Sequence, residues 1–239
     1  MVKVKEIIYL IFLFIPSLLL IIYCGNLSDK PYFSGVILLY LVYVFLISYI
    51  YFEKSNRGLL DVTFIATMSS FAAISRVPFA VIPNVQPVTF LIAMSGLVFG
   101  PFNGFIIGAT TAFVSNIFLG QGPWTLYQMM AWGIIGVLSG FLGLKNKKPS
   151  KLSFSIILFL FGILFGWIMN LWHVIAVIKD ITFNNIMLTY TASIYFDLMH
   201  GVGNIIFVIL FYNNFYRLLM RFKTRTHYVK LKKGRCKNE

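Results

Sequence analysis

The sequence predicts an all-α membrane protein, and three observations predict it. Only 11% of the 239 residues are charged, while 59% are hydrophobic. A soluble domain carries about 25% charged residues to keep its surface wet. Apolar runs of roughly 20 residues recur along the chain, long enough for a helix to cross the hydrocarbon core. Those runs are continuous and rich in Leu, Ile, Phe, Gly and Ala. A membrane β-barrel would instead alternate apolar and polar residues in segments of about ten.

Eight apolar segments follow in order: 6–24, 33–52, 59–77, 87–100, 103–119, 125–144, 152–177 and 188–216. The first follows Lys3 and Lys5 and resembles a signal peptide. Its apolar run is long for one and no small-x-small cleavage site follows, so a retained helix is expected. The second is aromatic and almost free of polar residues. The short polar segment 53–60, with Glu53, Lys54, Ser55, Asn56, Arg57 and Gly58, then separates this first pair from a richer remainder. The fourth and fifth segments are short and meet at Gly100-Pro101, which marks a tight turn and suggests a tilted hairpin. The expected organisation is two additional N-terminal helices in 1–58, a six-helix core in 59–220 and a basic tail in 221–239.

Charge sets the orientation. Lys and Arg in short loops favour the cytoplasmic side. The basic residues cluster at Lys3/Lys5, Lys54/Arg57, Lys145–Lys151 and beyond Arg217, and eight crossings place all four clusters on one side. Both termini are therefore expected in the cytoplasm, with Lys30, Arg76 and Lys179 on the outer side. The net charge of +13 fits contact with anionic lipid at that inner face. It argues against nucleic acid, because the charge is split among loops and a tail. Cys24 and Cys236 fall on opposite sides and lack metal-ligand spacing, so neither a disulfide nor a metal site is expected.

Three loops lie on the outer side of the core: 77–87, 119–125 and 178–187. The first carries Pro78, Pro83 and Pro87, with Asn84 and Gln86 between them. Its prolines forbid a helix and stiffen the chain. It is read either as the wall of a ligand cavity or as a re-entrant structural turn. The second reads Gly120-Gln121-Gly122-Pro123-Trp124-Thr125. Gln121 supplies donors and acceptors and Trp124 a flat face, suited to an organic ligand or to an interfacial anchor. Asn116 and Gln128 flank it. Arg76 ends the third segment, where it snorkels to the interface or holds a ligand.

The last two segments carry Asn170 and His173, then Asp197, His200 and Asn204, each set at helical spacing on one face. A metal site, a proton relay, an interhelical clamp with Asp197 paired to Arg or His, and a ligand wall all remain open readings. No second hard ligand completes a metal site, and no catalytic motif such as HExxH is present. Nucleotide-binding G-x-x-x-x-G-K-[ST] is also absent, so any ATP hydrolysis must come from a partner. Small residues form three faces: Ala66/Ser70 with Ser69/Ala73; Gly96, Gly100, Gly104 and Gly108; and Gly133, Gly136, Gly140 and Gly143. Such faces let helices approach closely.

Residues 61–145 resemble the substrate-binding S component of energy-coupling factor (ECF) vitamin transporters. The resemblance rests on the small-residue face Ala66–Ala73 running into Arg76. It rests also on the loop 82–88 leading to Gly96-Leu97-Val98-Phe99-Gly100-Pro101. The third piece is Gly120–Thr125, followed by Gln128-Met129 and Ala131-Trp132-Gly133. Within the family it is most similar to cobalamin-type members. The resemblance implies a non-enzymatic subunit of a bacterial plasma-membrane importer, without a cofactor of its own. It would capture a vitamin, cobalamin or a related precursor, at the outer face. It would deliver it with a membrane T subunit and two ATPases. Implied substrate contacts are Arg76, Asn84, Gln86, Gln121, Trp124 and Gln128, then Asn170, His173 and Asp197. Ala66, Ser69, Ser70 and Ala73 would dock the T subunit. The alternatives are another vitamin or a nucleobase-type compound, or an intramembrane enzyme using His173, Asp197 and His200. The two N-terminal helices depart from the family pattern.

Overall fold

The computed structural model describes residues 33–55, 58–144 and 148–235. The expectations for segment 6–24 and for both cysteines lie outside these residues. Seven α-helices follow in order: α1 Phe33–Lys54, α2 Leu59–Arg76, α3 Val88–Phe99, α4 Pro101–Leu119, α5 Trp124–Gly143, α6 Lys151–Ala176 and α7 Phe183–Arg235. Among the described residues, six helical stretches are long and apolar enough to cross a membrane. Large apolar side chains such as Leu39, Leu152 and Leu188 are more than two-thirds exposed. That outer surface suits lipid, since an all-round apolar helix needs an apolar surrounding. The chain is a multi-pass membrane protein.

Local chemistry sets the helix boundaries. The Gly58 N–H donates to Asp61 Oδ2 at 3.3 Å, opening α2. Ser150 caps α6 by accepting from the Ser153 N–H at 3.1 Å. Gly100 has φ 94° and separates α3 from α4, with Pro101 at the first position of α4. Pro78 likewise begins a single 3-10 turn, Pro78–Val81. The Pro-rich loop therefore holds one helical turn after all, because proline is tolerated where its missing N–H has no partner to lose.

The expected hairpin of two short segments is only half right. α3 has 12 residues, about 18 Å at 1.5 Å per residue, too short to span the bilayer. α4 has 19 and spans it. α3 is instead buried along nearly its whole length. It begins level with Trp132, whose indole N–H donates to Thr89 Oγ1 at 3.0 Å. Trp132 lies eight residues into α5, about 12 Å below its first turn. The loop 77–87 thus descends into the bundle. Val85 packs at Gly203, Phe79 meets Phe207 edge-on at 5.5 Å, and Asn84 Nδ2 donates to Phe196 O at 3.1 Å, all tying the loop to α7. Asn84 takes φ 55°, a left-handed conformation Asn tolerates.

The two glycine faces pack on each other inside this chain. A Cβ at Gly104 would land on the Gly136 backbone carbonyl, and a Cβ at Gly136 on that of Gly104. Gly96 meets the same carbonyl from α3. α5 therefore lies backbone-to-backbone against both α3 and α4. α6 and α7 form a second close pair, with Gly162 against Gly201.

At the Lys/Arg end, Phe64, Phe99 and Phe222 join α2, α3 and α7, with Phe64 and Phe99 centroids 3.8 Å apart. Lys223 Nζ donates to Val98 O at 2.6 Å, satisfying a carbonyl at the C-terminus of α3. The last helix starts before residue 188 and continues through the expected tail to Arg235. No Pro interrupts it, and Leu, Lys and Arg propagate a helix well. α1 seats Phe45 on Phe105 and donates or accepts through Tyr49 OH with Thr110 Oγ1 at 2.8 Å.

Candidate functional site

The polar residues of α2, α4 and α5 converge one turn below the end of the bundle that carries the loops 77–87 and 120–123. Arg76 is the organising group. Its Nε donates to Gln86 Oε1 at 2.8 Å. Its Nη1 donates to Ser115 Oγ at 2.8 Å and to Asn116 Oδ1 at 2.7 Å. Its guanidinium carbon lies 5.0 Å from the Trp132 ring centroid. All these partners are neutral. Arg76 is turned inward and does not snorkel, because the loop 77–87, α4 and α5 supply acceptors or a π face at that depth.

A chain of side-chain bonds continues outward. Asn116 Nδ2 donates to Gln128 Oε1 at 2.7 Å and to Thr125 Oγ1 at 2.9 Å. The Thr125 hydroxyl donates to Gln121 Oε1 at 2.9 Å, and Gln121 Nε2 donates to Phe113 O at 2.9 Å. The turn at Gly120–Pro123 brings Gln121 back over α4, Gly120 taking φ 109°. Trp124 folds over Gly122 and meets Trp172 of α6 edge-on at 5.7 Å. On the other side, the Thr89 hydroxyl lies 2.7 Å from His200 Nε2, and Phe165 stacks on Trp132 at 4.8 Å.

The structure brings together Arg76, Gln86, Gln121 and Gln128, with Trp124 at their rim. Asn84 stands apart, holding the loop to α7. A second polar group joins α6 to α7: Asn170 Nδ2 donates to Ser193 Oγ at 2.6 Å, and Ser193 donates to Asp197 Oδ2 at 3.2 Å. The Asp197 carboxylate sits on Gly166, where a Cβ would collide with Oδ1. The expected clamp of Asp197 with Arg or His is not formed: its hydrogen-bond partner is Ser193. His173 is exposed near the end of α6 and joins neither group. Among the described residues no three His, Cys, Asp or Glu side chains cluster as metal ligands. Asp197 pairs with Ser193 and His200 with Thr89, in separate groups.

Sequence reasoning singled out neither Ser115, Thr89 nor Ser193. Their short side chains carry no signal of depth or direction until helices cross. Trp132 was visible only as part of Ala131-Trp132-Gly133, yet it is fully buried at the base of the cluster.

The small-residue face expected to dock a T subunit also divides. Ala66 and Ser70 are exposed on α2, while Ser69 and Ala73 are buried within the chain, Ser69 O lying 3.5 Å from Thr111 Oγ1. Ser69 and Ala73 thus pack α2 on α4, because a helix turns 100° per residue and the two pairs point to different faces. The grooves along α7 lined by Arg217 and Arg221 sit at the opposite end and share no residue with the cluster.

No curated protein and no solved structure matches the chain. Residues 58–217, about two thirds of the sequence, match the family described as "ECF-type riboflavin transporter, S component". α1 lies outside the matched residues, and the cluster and both close helix pairs lie inside them. Members of that family are substrate-specific transporter subunits and not enzymes, and the chain belongs to the ECF-type riboflavin transporter S component family.

Proposed function

We propose that this chain captures riboflavin, or a vitamin built on a similar flat heteroaromatic ring, at the outer face of a bacterial plasma membrane. In this reading a T subunit and two ATPases complete the importer, and both termini lie in the cytoplasm. The observation that carries the substrate is the family matched by residues 58–217, whose description names riboflavin. The site chemistry agrees with it. A flat ring needs apolar faces and a few fixed polar groups. Trp124 and Trp172 supply the faces, and Arg76, Gln86, Gln121 and Gln128 supply the polar groups. Asn84 shapes the loop wall. Asn170 and Asp197 line or brace the α6–α7 side, and His173 stands farther off. The matched family's description does not mention cobalamin, so riboflavin replaces it as the leading substrate. Nothing on this site favours cobalamin over a smaller ring.

For docking, the exposed pair Ala66 and Ser70 is the part of the small-residue face open to a T subunit. Small residues there allow close approach of a second helix.

Riboflavin fluorescence provides the test, since stacking on Trp quenches it. Titrating the detergent-purified chain should give saturable quenching at one site per chain. Trp124→Ala should weaken it. A folded protein that leaves riboflavin unquenched and instead binds cobalamin or cobinamide by calorimetry would return the substrate to the cobalamin type.

A further inference from the structure

Arginine has five N–H donors and no acceptor. That fact propagates through the cluster. Gln86 and Asn116 must turn their carbonyl oxygens toward Arg76, because only oxygen accepts from it. The Asn116 amide nitrogen must then face acceptors, which it finds in Gln128 Oε1 and Thr125 Oγ1. Gln128 is thereby fixed with its oxygen inward and its Nε2 outward. Ser115 and Thr125 follow the same sense, passing their protons to Ala112 O and Gln121 Oε1. One cation sets the direction of every amide.

What remains unused is all of one kind. Arg76 Nη2, Gln86 Nε2 and Gln128 Nε2 make no hydrogen bond among the described residues. Fully enclosed atoms without a partner there are Ser69 Oγ, Trp172 Nε1, His200 Nδ1 and Asn204 Oδ1. The three nitrogens are not among these, so they border open space. Their N–H groups all donate, and Gln128 is only 5% exposed, which makes its free amide costly to leave dry and unpaired.

We propose that this cluster reads an acceptor-only edge of the substrate, adjacent carbonyl oxygen and unprotonated ring nitrogen. It would reject ligands that present an amine or cation there. The inference rests on the reading of this chain as a vitamin-binding subunit. On a flavin ring, two edges qualify: the carbonyl at C2 beside N1, and the carbonyl at C4 beside N5.

The test uses the purified full chain with riboflavin, 1-deazariboflavin and 5-deazariboflavin, which each replace one ring nitrogen by C–H. Wild-type protein should bind one of the two analogues about ten-fold or more weakly than riboflavin, as expected for a lost charge-assisted or buried hydrogen bond. In Arg76→Met that difference should disappear. Gln128→Glu keeps an oxygen for Asn116 but replaces the free NH2 by a second oxygen. It should weaken riboflavin at least ten-fold while the protein remains folded by thermal melting. Equal binding of all three flavins by wild type, or unchanged binding in Gln128→Glu, overturns the inference and leaves the riboflavin assignment standing. If riboflavin fails to bind and another vitamin binds, the riboflavin assignment falls. Gln128→Glu is then measured with that vitamin: a ten-fold loss supports the acceptor edge, and no loss overturns it. A folded chain that binds nothing in the panel overturns both.

Discussion

Helices α4 and α5 run side by side through two different environments. Near the Lys/Arg end they touch backbone to backbone, Gly104 against Gly136 and Gly108 against Trp132 O. Near the other end the same two helices face each other through Asn116, Thr125 and Gln128. The first contact has no room for one methyl group. The second is built from side chains that reach across a gap and leave donors unused. In lipid, helices gain little from burying apolar surface, so close van der Waals packing has to fix their positions. The glycine contact is the hinge-free half, and it sets where the polar half can form.

The comparison breaks most severely at the glycine contact. Gly136→Ile places a branched side chain on the Gly104 backbone. Overpacking costs about 1–3 kcal/mol where neighbours can yield, and a helix backbone yields less than a side chain does. The expected outcome is loss of monodisperse protein in size-exclusion chromatography, whatever ligand is added.

Arg76→Met should separate the halves. The glycine frame is untouched, so the protein should still purify as a single species. The amide chain loses its organising cation, and Gln86 and Asn116 lose an acceptor role. Riboflavin affinity should fall by roughly a hundred-fold, the range of about 3 kcal/mol expected when a hydrogen-bonded charge is removed. A drop in melting temperature without a drop in affinity would mean that the cluster is structural.

Ala66→Trp probes a face that belongs to neither half. Riboflavin binding should stay within two-fold, and co-purification with the T subunit should be lost. The smallest effect is expected at His173→Ala. That side chain is exposed at the end of α6, and affinity and melting temperature should both remain near wild type.

Much of the frame was legible in the sequence. Hydrophobic run length gave the spans, because only about 20 apolar residues cross a bilayer as a helix. Gly100 and Gly120 marked turns, and the glycine periods marked faces. The partner of each face was not legible, since periodicity states which residues share a side and never what lies opposite. The division of Ala66/Ser70 from Ser69/Ala73 shows this directly: neighbouring pairs with equal spacing point one outward and one inward.

Composition and the length of the apolar runs by themselves determined that this chain is helical and membrane-spanning. The identities of Arg76, Gln86, Gln121 and Gln128 were likewise written there as polar residues near loop ends. Only the tertiary structure decided that they meet, that Asp197 and His173 do not join them, and that α3 stops short of a full span. The reason is physical. A polar group inside a bundle acquires its role from the acceptors that helix crossing brings within about 3 Å, and here that crossing is fixed by glycines many residues away. Once Arg76 is placed among Gln86, Ser115 and Asn116, its lack of any acceptor decides the direction of every amide around it.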